Sequence, residues 1–101
     1  MAFRSLEKLI NLHDGYRRVF LIDGLEMLLV QEAGERWLIA RRCPHARQAL
    51  DTAEIDGGVI RCSRHGYRFS LHDGQPLAAD CDRLRIFDLI YEGNSLGIDI
   101  A

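Results

Sequence analysis

The fold of this chain is decided by residues 43–65, which begin Cys43-Pro44-His45 and end Cys62-Ser63-Arg64-His65. Each end offers one thiol and one imidazole, and sixteen residues separate the two pairs. Within a pair, the side chains are too close in sequence to reach a common centre from a long regular helix or strand, so each pair is predicted to lie on a loop tip. Two such tips facing each other would make a four-ligand metal site.

Two cysteines and two histidines have two common uses as a ligand set. They can hold one tetrahedral zinc ion, or a 2Fe-2S cluster with both cysteines on one iron and both histidines on the other. Zinc fingers usually group the cysteines in one pair and the histidines in the next, whereas both pairs here are mixed. This order favours the iron-sulfur cluster over zinc, and over buried side chains that bind nothing.

The sequence around these pairs resembles that of Rieske iron-sulfur proteins. Residues 62–69, CSRHGYRF, are similar to the second Rieske loop, and residues 56–61, DGGVIR, are similar to the strand that leads into it. The resemblance covers nearly the whole chain, which has the length of a stand-alone Rieske ferredoxin. It implies one 2Fe-2S cluster per chain, with every iron position occupied by sulfur or by the ligands Cys43, His45, Cys62 and His65.

Length and composition predict one cytoplasmic domain. The 101 residues are 48% hydrophobic and 28% charged, which is typical of a globular domain with a buried core. The first residues contain no uninterrupted apolar run, so we expect neither a signal peptide nor a membrane anchor. With two cysteines assigned to a metal, Cys81 is left over as a packing residue or spectator, which argues against a disulfide framework and favours a reducing compartment.

Hydrophobic patterning predicts an all-β antiparallel domain. Leu6, Leu9 and Ile10 have helical spacing and support a short helical turn at most, while residues 49–56 show no strong periodicity. The expected strands are 17–22 and 25–31 around the turn signal Asp23-Gly24, then 36–40, 59–62 and 68–71, and finally 84–91 and 96–100 around a turn at 92–95.

The Rieske resemblance adds an architecture to these strands. It implies a single domain over residues 1–101, in which a small cluster-binding subdomain of about residues 42–73 is inserted into an antiparallel β-sandwich base. Residues 75–77 would begin a third loop that covers the cluster. The chain departs from the ferredoxin pattern at Arg47, where a glycine generally stands, so we expect Arg47 to adopt a positive φ angle. Arg64 stands where an aromatic or apolar residue is common.

The same resemblance implies an electron-transfer protein rather than an enzyme. It indicates the ferredoxin component of a multi-component oxygenase, such as a ring-hydroxylating dioxygenase, which carries electrons from a flavin-dependent reductase to a terminal oxygenase. The oxygenase itself needs a second iron site with two histidines and a carboxylate, and after His65 only His72 remains. The alternative is a small Rieske-fold subunit resembling that of assimilatory nitrite reductase.

Charge bears on the partners of such a protein. The chain has 13 basic and 15 acidic residues, which gives no reason to expect nucleic acid or a membrane. Residues 41–72, however, carry six arginines and three acidic residues, whereas the remainder has a net charge of minus five. We expect a relatively positive cluster end that docks acidic partners, unless these arginines pair with local acids. His13 and His72 both precede Asp-Gly and are interpreted as turn residues, and Trp37, Tyr67 and Phe69 as packing residues.

The reduction potential can be predicted from what this sequence lacks. High-potential Rieske proteins have an inter-loop disulfide where this chain has Gln48 and Arg64, and they have a serine and a tyrosine that donate hydrogen bonds to cluster sulfurs where it has Tyr67 and Phe69. A hydrogen bond to a charged acceptor is worth about 1.5 to 3 kcal/mol, and about 1.4 kcal/mol corresponds to roughly 60 mV for one electron.

Losing two such bonds should therefore lower the potential by on the order of 100 mV, into the lower part of the Rieske range of about −150 to +300 mV. Protein-film voltammetry measures this directly. A midpoint above about +150 mV would contradict the hydrogen-bond argument.

Overall fold

The computed structural model describes residues 2–44, 47–63, 66–77 and 81–99. Over these ranges the backbone is built from short strands and one 3₁₀ turn, Leu9–Asn11. No helix in these ranges is long and apolar enough to cross a membrane. In chain order the strands are β1 Phe3–Lys8, β2 Arg17–Ile22, β3 Leu25–Glu32, β4 Glu35–Ala40, β5 Glu54–Asp56, β6 Val59–Arg61, β7 Arg68–Ser70, β8 Ile86–Phe87, β9 Ile90–Glu92 and β10 Ser95–Asp99.

The strands form three antiparallel sheets, which confirms the predicted all-β fold. The base consists of a three-stranded sheet in the order β1-β10-β9 and a four-stranded sheet in the order β2-β3-β4-β8. The third sheet, β5-β6-β7, lies within the chain segment predicted to bind the cluster.

The hairpin of β2 and β3 has the turn that the sequence predicts. Asp23 and Gly24 have φ angles of 50° and 80°, the left-handed values of a two-residue turn that matches the twist of its strands. Ala33 and Gly34 make a second turn of the same kind, with φ angles of 51° and 77°. Because that turn needs only two residues, β4 begins one residue earlier than expected, at Glu35.

Three features of the fold differ from the strands predicted from the hydrophobic pattern. Residues 3–8 form β1, which pairs with β10 at the other end of the chain, and a register shift between Ser5 and Glu7 disturbs the alternation that would have marked a strand. The unpatterned segment 49–56 contains β5. The expected strand 84–91 is divided at Asp88 and Leu89, because β8 joins β4 while β9 joins β10.

The four-stranded sheet separates two hydrophobic cores. Side chains alternate between the faces of a strand, so Leu28 and Val30 of β3 face one core while Met27 and Leu29 face the other. The second of these, the lower core, lies against the sheet β1-β10-β9. The first, called here the upper core, also contains Ile39, Cys43, Leu50, Ala53, Ile60, Cys62, Phe69, Leu71 and Leu84.

Close contact between the two ends of the chain gives a stability prediction. Gly97 of β10 lies opposite Ser5 of β1, and a Cβ atom at Gly97 would collide with the main-chain carbonyl oxygen of Arg4. That oxygen belongs to the backbone and cannot rotate away. We predict that Gly97→Ala lowers the free energy of unfolding by about 3 kcal/mol, as severe overpacking does.

Chemical denaturation measures this loss. Gly24→Ala is the matched control, because a Cβ at Gly24 meets no atom within 4 Å and adds only left-handed strain, which costs about 1 to 2 kcal/mol. An equal or smaller loss for Gly97→Ala would refute the collision.

Candidate metal centre

The structure brings the two predicted cysteine ligands into one core. Cys43 and Cys62 both have zero solvent exposure, and both belong to the upper core. His45 and His65 lie outside the described residues. Two thiols buried in the same apolar core, each within three residues of a histidine in sequence, are the donor set that a mixed cysteine and histidine centre needs.

The first cysteine begins a tightly closed loop. The carbonyl oxygen of Cys43 accepts a hydrogen bond from the amide of Arg47 at 2.7 Å, and the amide of Cys43 donates to the carbonyl oxygen of Gln48 at 2.9 Å. Below the loop, Arg42 and Ala49 face each other as an isolated antiparallel bridge. Arg47 has a φ angle of 53°, which confirms the positive value expected from the replaced glycine.

The second cysteine begins a loop with the same hydrogen bonds. The carbonyl oxygen of Cys62 accepts from the amide of Gly66 at 3.1 Å, and the amide of Cys62 donates to the carbonyl oxygen of Tyr67 at 2.7 Å. Gly66 has a φ angle of 70°. Below this loop, Arg61 faces Arg68. Both loops therefore place a left-handed residue four positions after the cysteine, so the two thiols enter the core from equivalent turns.

An ionic network connects the first loop to the base. The Arg41 guanidinium donates two hydrogen bonds of 3.1 Å to the Asp51 carboxylate and one of 2.6 Å to Glu26 of β3. Arg42 donates to the other Glu26 oxygen at 3.3 Å. Hydrogen bonds from Arg41 and Arg42 lower the pKa of Glu26, and those to Asp51 and Glu26 raise the pKa of Arg41. Pairing with a local acid is thus observed for Arg41, which binds Asp51, whereas the acid that Arg42 binds is Glu26 of the distant strand β3.

Three other arginines near the loops have a different environment. Arg47, Arg61 and Arg68 are exposed, and within the described parts of the chain no carboxylate lies within ion-pair distance of their guanidinium groups. Arg64 lies outside those parts. The number of arginines can be read from the sequence. Which of them form ion pairs cannot, because Glu26, which binds Arg41 and Arg42, belongs to a strand that is distant in sequence.

The remaining residues of interest play packing and turn roles. Phe69 is fully buried in the upper core. Half-buried side chains that pack against this core are those of Trp37, Tyr67 and Cys81. The amide of His72 donates to the Ser70 hydroxyl at 3.3 Å in the turn that follows β7. His13 lies 2.9 Å, measured from its Nδ1, from the carbonyl oxygen of Asp14. In the described ranges, which omit both predicted histidine ligands, no further group of three potential ligands could hold a metal.

Residues 6–88 match the family model described as the Rieske 2Fe-2S domain. The chain belongs to the Rieske 2Fe-2S domain family. Its cofactor is a 2Fe-2S cluster, and the buried pair Cys43 and Cys62 fits that cluster, because two thiolates would be needed to hold one of its irons. The zinc alternative is set aside by this membership.

Two curated proteins are similar to this chain in sequence. The ferredoxin component of the alkene monooxygenase system of Xanthobacter autotrophicus is 32% identical over 84 residues, which are 82% of this chain and 69% of that protein. A Rieske 2Fe-2S iron-sulfur protein of Mycobacterium tuberculosis strain H37Rv is 38% identical over 50 residues. That match spans 48% of this chain and about a tenth of the mycobacterial protein.

Solved structures extend the similarity to the whole fold. The ferredoxin of carbazole 1,9a-dioxygenase from Nocardioides aromaticivorans IC177 superposes with a TM-score of 0.82 at 26% identity, over 97% of each chain. A carbazole 1,9a-dioxygenase ferredoxin solved in complex with its oxygenase has a TM-score of 0.81 at 19% identity, over 95% of this chain and 91% of that one. A structure described as a small subunit of NADPH nitrite reductase has a TM-score of 0.78 at 17% identity, over 96% and 97%.

The ligand assignment makes a prediction for the purified protein. It should be red-brown, contain about two irons and two sulfides per chain, and give an electron paramagnetic resonance signal only after reduction. Cys43→Ser, His45→Ala and Cys62→Ser should each abolish the cluster, because each removes one of its four protein ligands. Metal analysis and the resonance spectrum check these outcomes.

Cys81→Ser is the matched control, since it removes a cysteine that packs against the same core but is not assigned to the cluster. A colourless protein with one zinc per chain, or loss of the cluster in Cys81→Ser, would contradict the assignment.

Proposed function

We propose that the chain is a one-electron carrier whose 2Fe-2S cluster is held by Cys43, His45, Cys62 and His65. The observation that carries this proposal is the burial of Cys43 and Cys62 in one core, at the start of two equivalent loops. When bound, the cluster supplies a one-electron couple. Since all its protein ligand positions are filled, no open coordination site remains for a substrate, and the chain alone turns none over.

The surrounding residues suit electron transfer because they hold the ligands in one geometry. Each cysteine is fixed through both its amide and its carbonyl oxygen. The Arg41 network ties the first loop to strand β3, and the upper core excludes water from the thiol side of the site. Outer partners of this kind orient the ligands and tune the centre. Ligands that are held in place need little rearrangement when an electron arrives or leaves.

The sheet β5-β6-β7 supports a cluster-binding subdomain of about residues 42–73 within one domain of residues 1–101. Its strands pair with one another, and the second cysteine loop is the connection between β6 and β7. The first loop approaches from the end of β4 in the base. The first proposed ligand pair thus follows strand β4 of the four-stranded base sheet along the chain, and the second pair joins two strands of the subdomain's own sheet.

The proposed electron donor is a flavin-dependent reductase, and the proposed acceptor is a terminal oxygenase, both in the cytoplasm. Two similarities support these partners: the 32% identical relative is the ferredoxin component of an alkene monooxygenase system, and the 26% identical structure is the ferredoxin of a dioxygenase.

A fixed small subunit of a larger reductase is the second candidate. The similarity in fold to a protein described as a nitrite reductase small subunit favours it, although at 17% identity that similarity concerns the fold alone. Affinity purification from the native cell separates the two. A carrier elutes by itself, whereas stoichiometric co-elution with a large reductase subunit would favour the second candidate.

Electron transfer between proteins should depend on charge at the loops. We expect a flavin reductase of an oxygenase system to reduce the protein, with a rate that falls as salt rises because exposed charges are screened. Arg47→Gln should lower the rate at low salt about twofold to threefold, and the difference should vanish in high salt. Stopped-flow absorbance across a salt series measures both effects.

Arg4→Gln is the control, because it removes the same charge from an exposed arginine on β1, in the sheet β1-β10-β9. Its rate should match that of the unaltered protein at every salt concentration. Rates indifferent to salt, or equally slow in Arg4→Gln, would remove the docking hypothesis.

A further inference from the structure

Two arginines face each other below the second cysteine loop. Arg61 ends β6, Arg68 begins β7, and the two are direct cross-strand partners. Both side chains are exposed. Like charges that are directly opposite on neighbouring strands destabilise a sheet. This pair therefore lowers the stability of the isolated protein at the two residues that flank the second cysteine loop, on which the proposed site depends.

The first loop avoids this cost at the equivalent position. Its closing bridge joins Arg42 to Ala49, so only one side chain there is charged. The Arg42 guanidinium binds the Glu26 carboxylate at 3.3 Å and the carbonyl oxygen of Arg47 at 3.3 Å. At the base of the first loop the one arginine is therefore neutralised by an ion pair, whereas the two arginines at the base of the second loop form no ion pair with any described carboxylate.

Two local acids lie near the second pair of arginines without forming an ion pair with them in the described part of the chain. Glu54 of β5 is the direct cross-strand partner of Arg61 on the side away from Arg68, so it offsets part of the Arg61 charge, and Asp56 lies in the next cross-strand row, opposite Val59. In the described part of the chain neither carboxylate reaches ion-pair distance of Arg61 or Arg68. These residues line an open cavity of about 470 Å³ together with Gly66.

Gly66 fixes where the Arg61 charge lies. A Cβ atom at Gly66 would stand 3.5 Å from Nη2 and 3.6 Å from Nε of Arg61, so the guanidinium rests against the backbone of Gly66. Gly66 follows His65, a proposed cluster ligand. The positive charge of Arg61 therefore lies beside the second loop.

We propose that Arg61 and Arg68 form a docking site for an aspartate or glutamate carboxylate on the surface of an electron-transfer partner. A planar guanidinium binds a carboxylate through two parallel hydrogen bonds, and two adjacent guanidinium groups can share one carboxylate. Occupation by that carboxylate would relieve the repulsion between the two arginines. The inference rests on the proposed carrier function and names the residues at which its partner binds.

Charge over the whole chain favours a protein partner on this face. The chain has a net charge of minus two at neutral pH. An acidic protein is therefore attracted at the loops and repelled by the remaining surface, which orients it as it approaches. The cavity is open and lies next to the proposed ligand loop, so a carboxylate bound there brings its own protein close to the cluster.

The site is tested with a fluorescein-labelled hexaglutamate peptide, whose anisotropy is followed as cluster-loaded protein is added at low salt. Arg61→Gln and Arg68→Gln should each weaken binding about fivefold, the factor expected from one charge pair at an exposed position. Arg61→Lys should keep part of the affinity, because charge remains while the planar fork is lost. Arg4→Gln, which removes one exposed arginine from the sheet β1-β10-β9, should change the affinity less than twofold.

Equal weakening in Arg4→Gln would overturn the inference, since it would indicate attraction to overall charge alone. Displacement of the peptide by inorganic phosphate at the same concentration would also overturn it, in favour of a small-anion site. Reduction by a flavin reductase is measured on the same variants. Unaltered peptide binding with intact reduction refutes the docking site alone, whereas altered peptide binding in a protein that no reductase reduces refutes the carrier function alone.

Discussion

The cluster end of this protein depends on a left-handed residue four positions after each cysteine. The amide of that residue donates a hydrogen bond to the cysteine carbonyl oxygen, and its conformation turns the chain so that the carbonyl oxygen of the next residue accepts from the cysteine amide. Gly66 adopts it without steric cost, but a residue with a side chain pays about 1 to 2 kcal/mol. At Arg47 the hydrogen bonds of Cys43 and the contact from Arg42 to the Arg47 carbonyl oxygen oppose that cost.

The base acts on the site through Arg41. Its two bonds to Asp51 and one to Glu26 connect the strand before the first loop, the segment after it and β3. All three side chains are partly exposed, so each pair contributes only about 1 kcal/mol or less to stability. The importance of the network is therefore geometric. It fixes both arms of a loop whose cysteine must meet a second cysteine delivered by another sheet.

Sequence patterns predicted the parts of the molecule that local chemistry determines. Mixed cysteine and histidine pairs indicated the family, Asp23-Gly24 located the first hairpin, and the missing glycine indicated the backbone of Arg47. Strand β1 escaped prediction because its partner is at the far end of the chain and its alternation is broken between Ser5 and Glu7. The break at residues 88–89 escaped it too, because a continuous apolar pattern does not reveal that two halves of a segment join different sheets.

Partners that are distant in sequence also determine which arginines near the loops carry a charge that is not neutralised by an ion pair. Residues 41–72 looked strongly positive, yet Glu26, from outside that segment, shares in neutralising Arg41 and Arg42. Among the described residues of that segment, the arginines without an ion pair are Arg47, Arg61 and Arg68, all exposed to water. Water and salt screen exposed charges, so their effect on the energy of an added electron is small. They act more strongly on an approaching protein, because docking excludes water from the contact. A carboxylate of that protein placed between Arg61 and Arg68 would also relieve the repulsion between these two arginines.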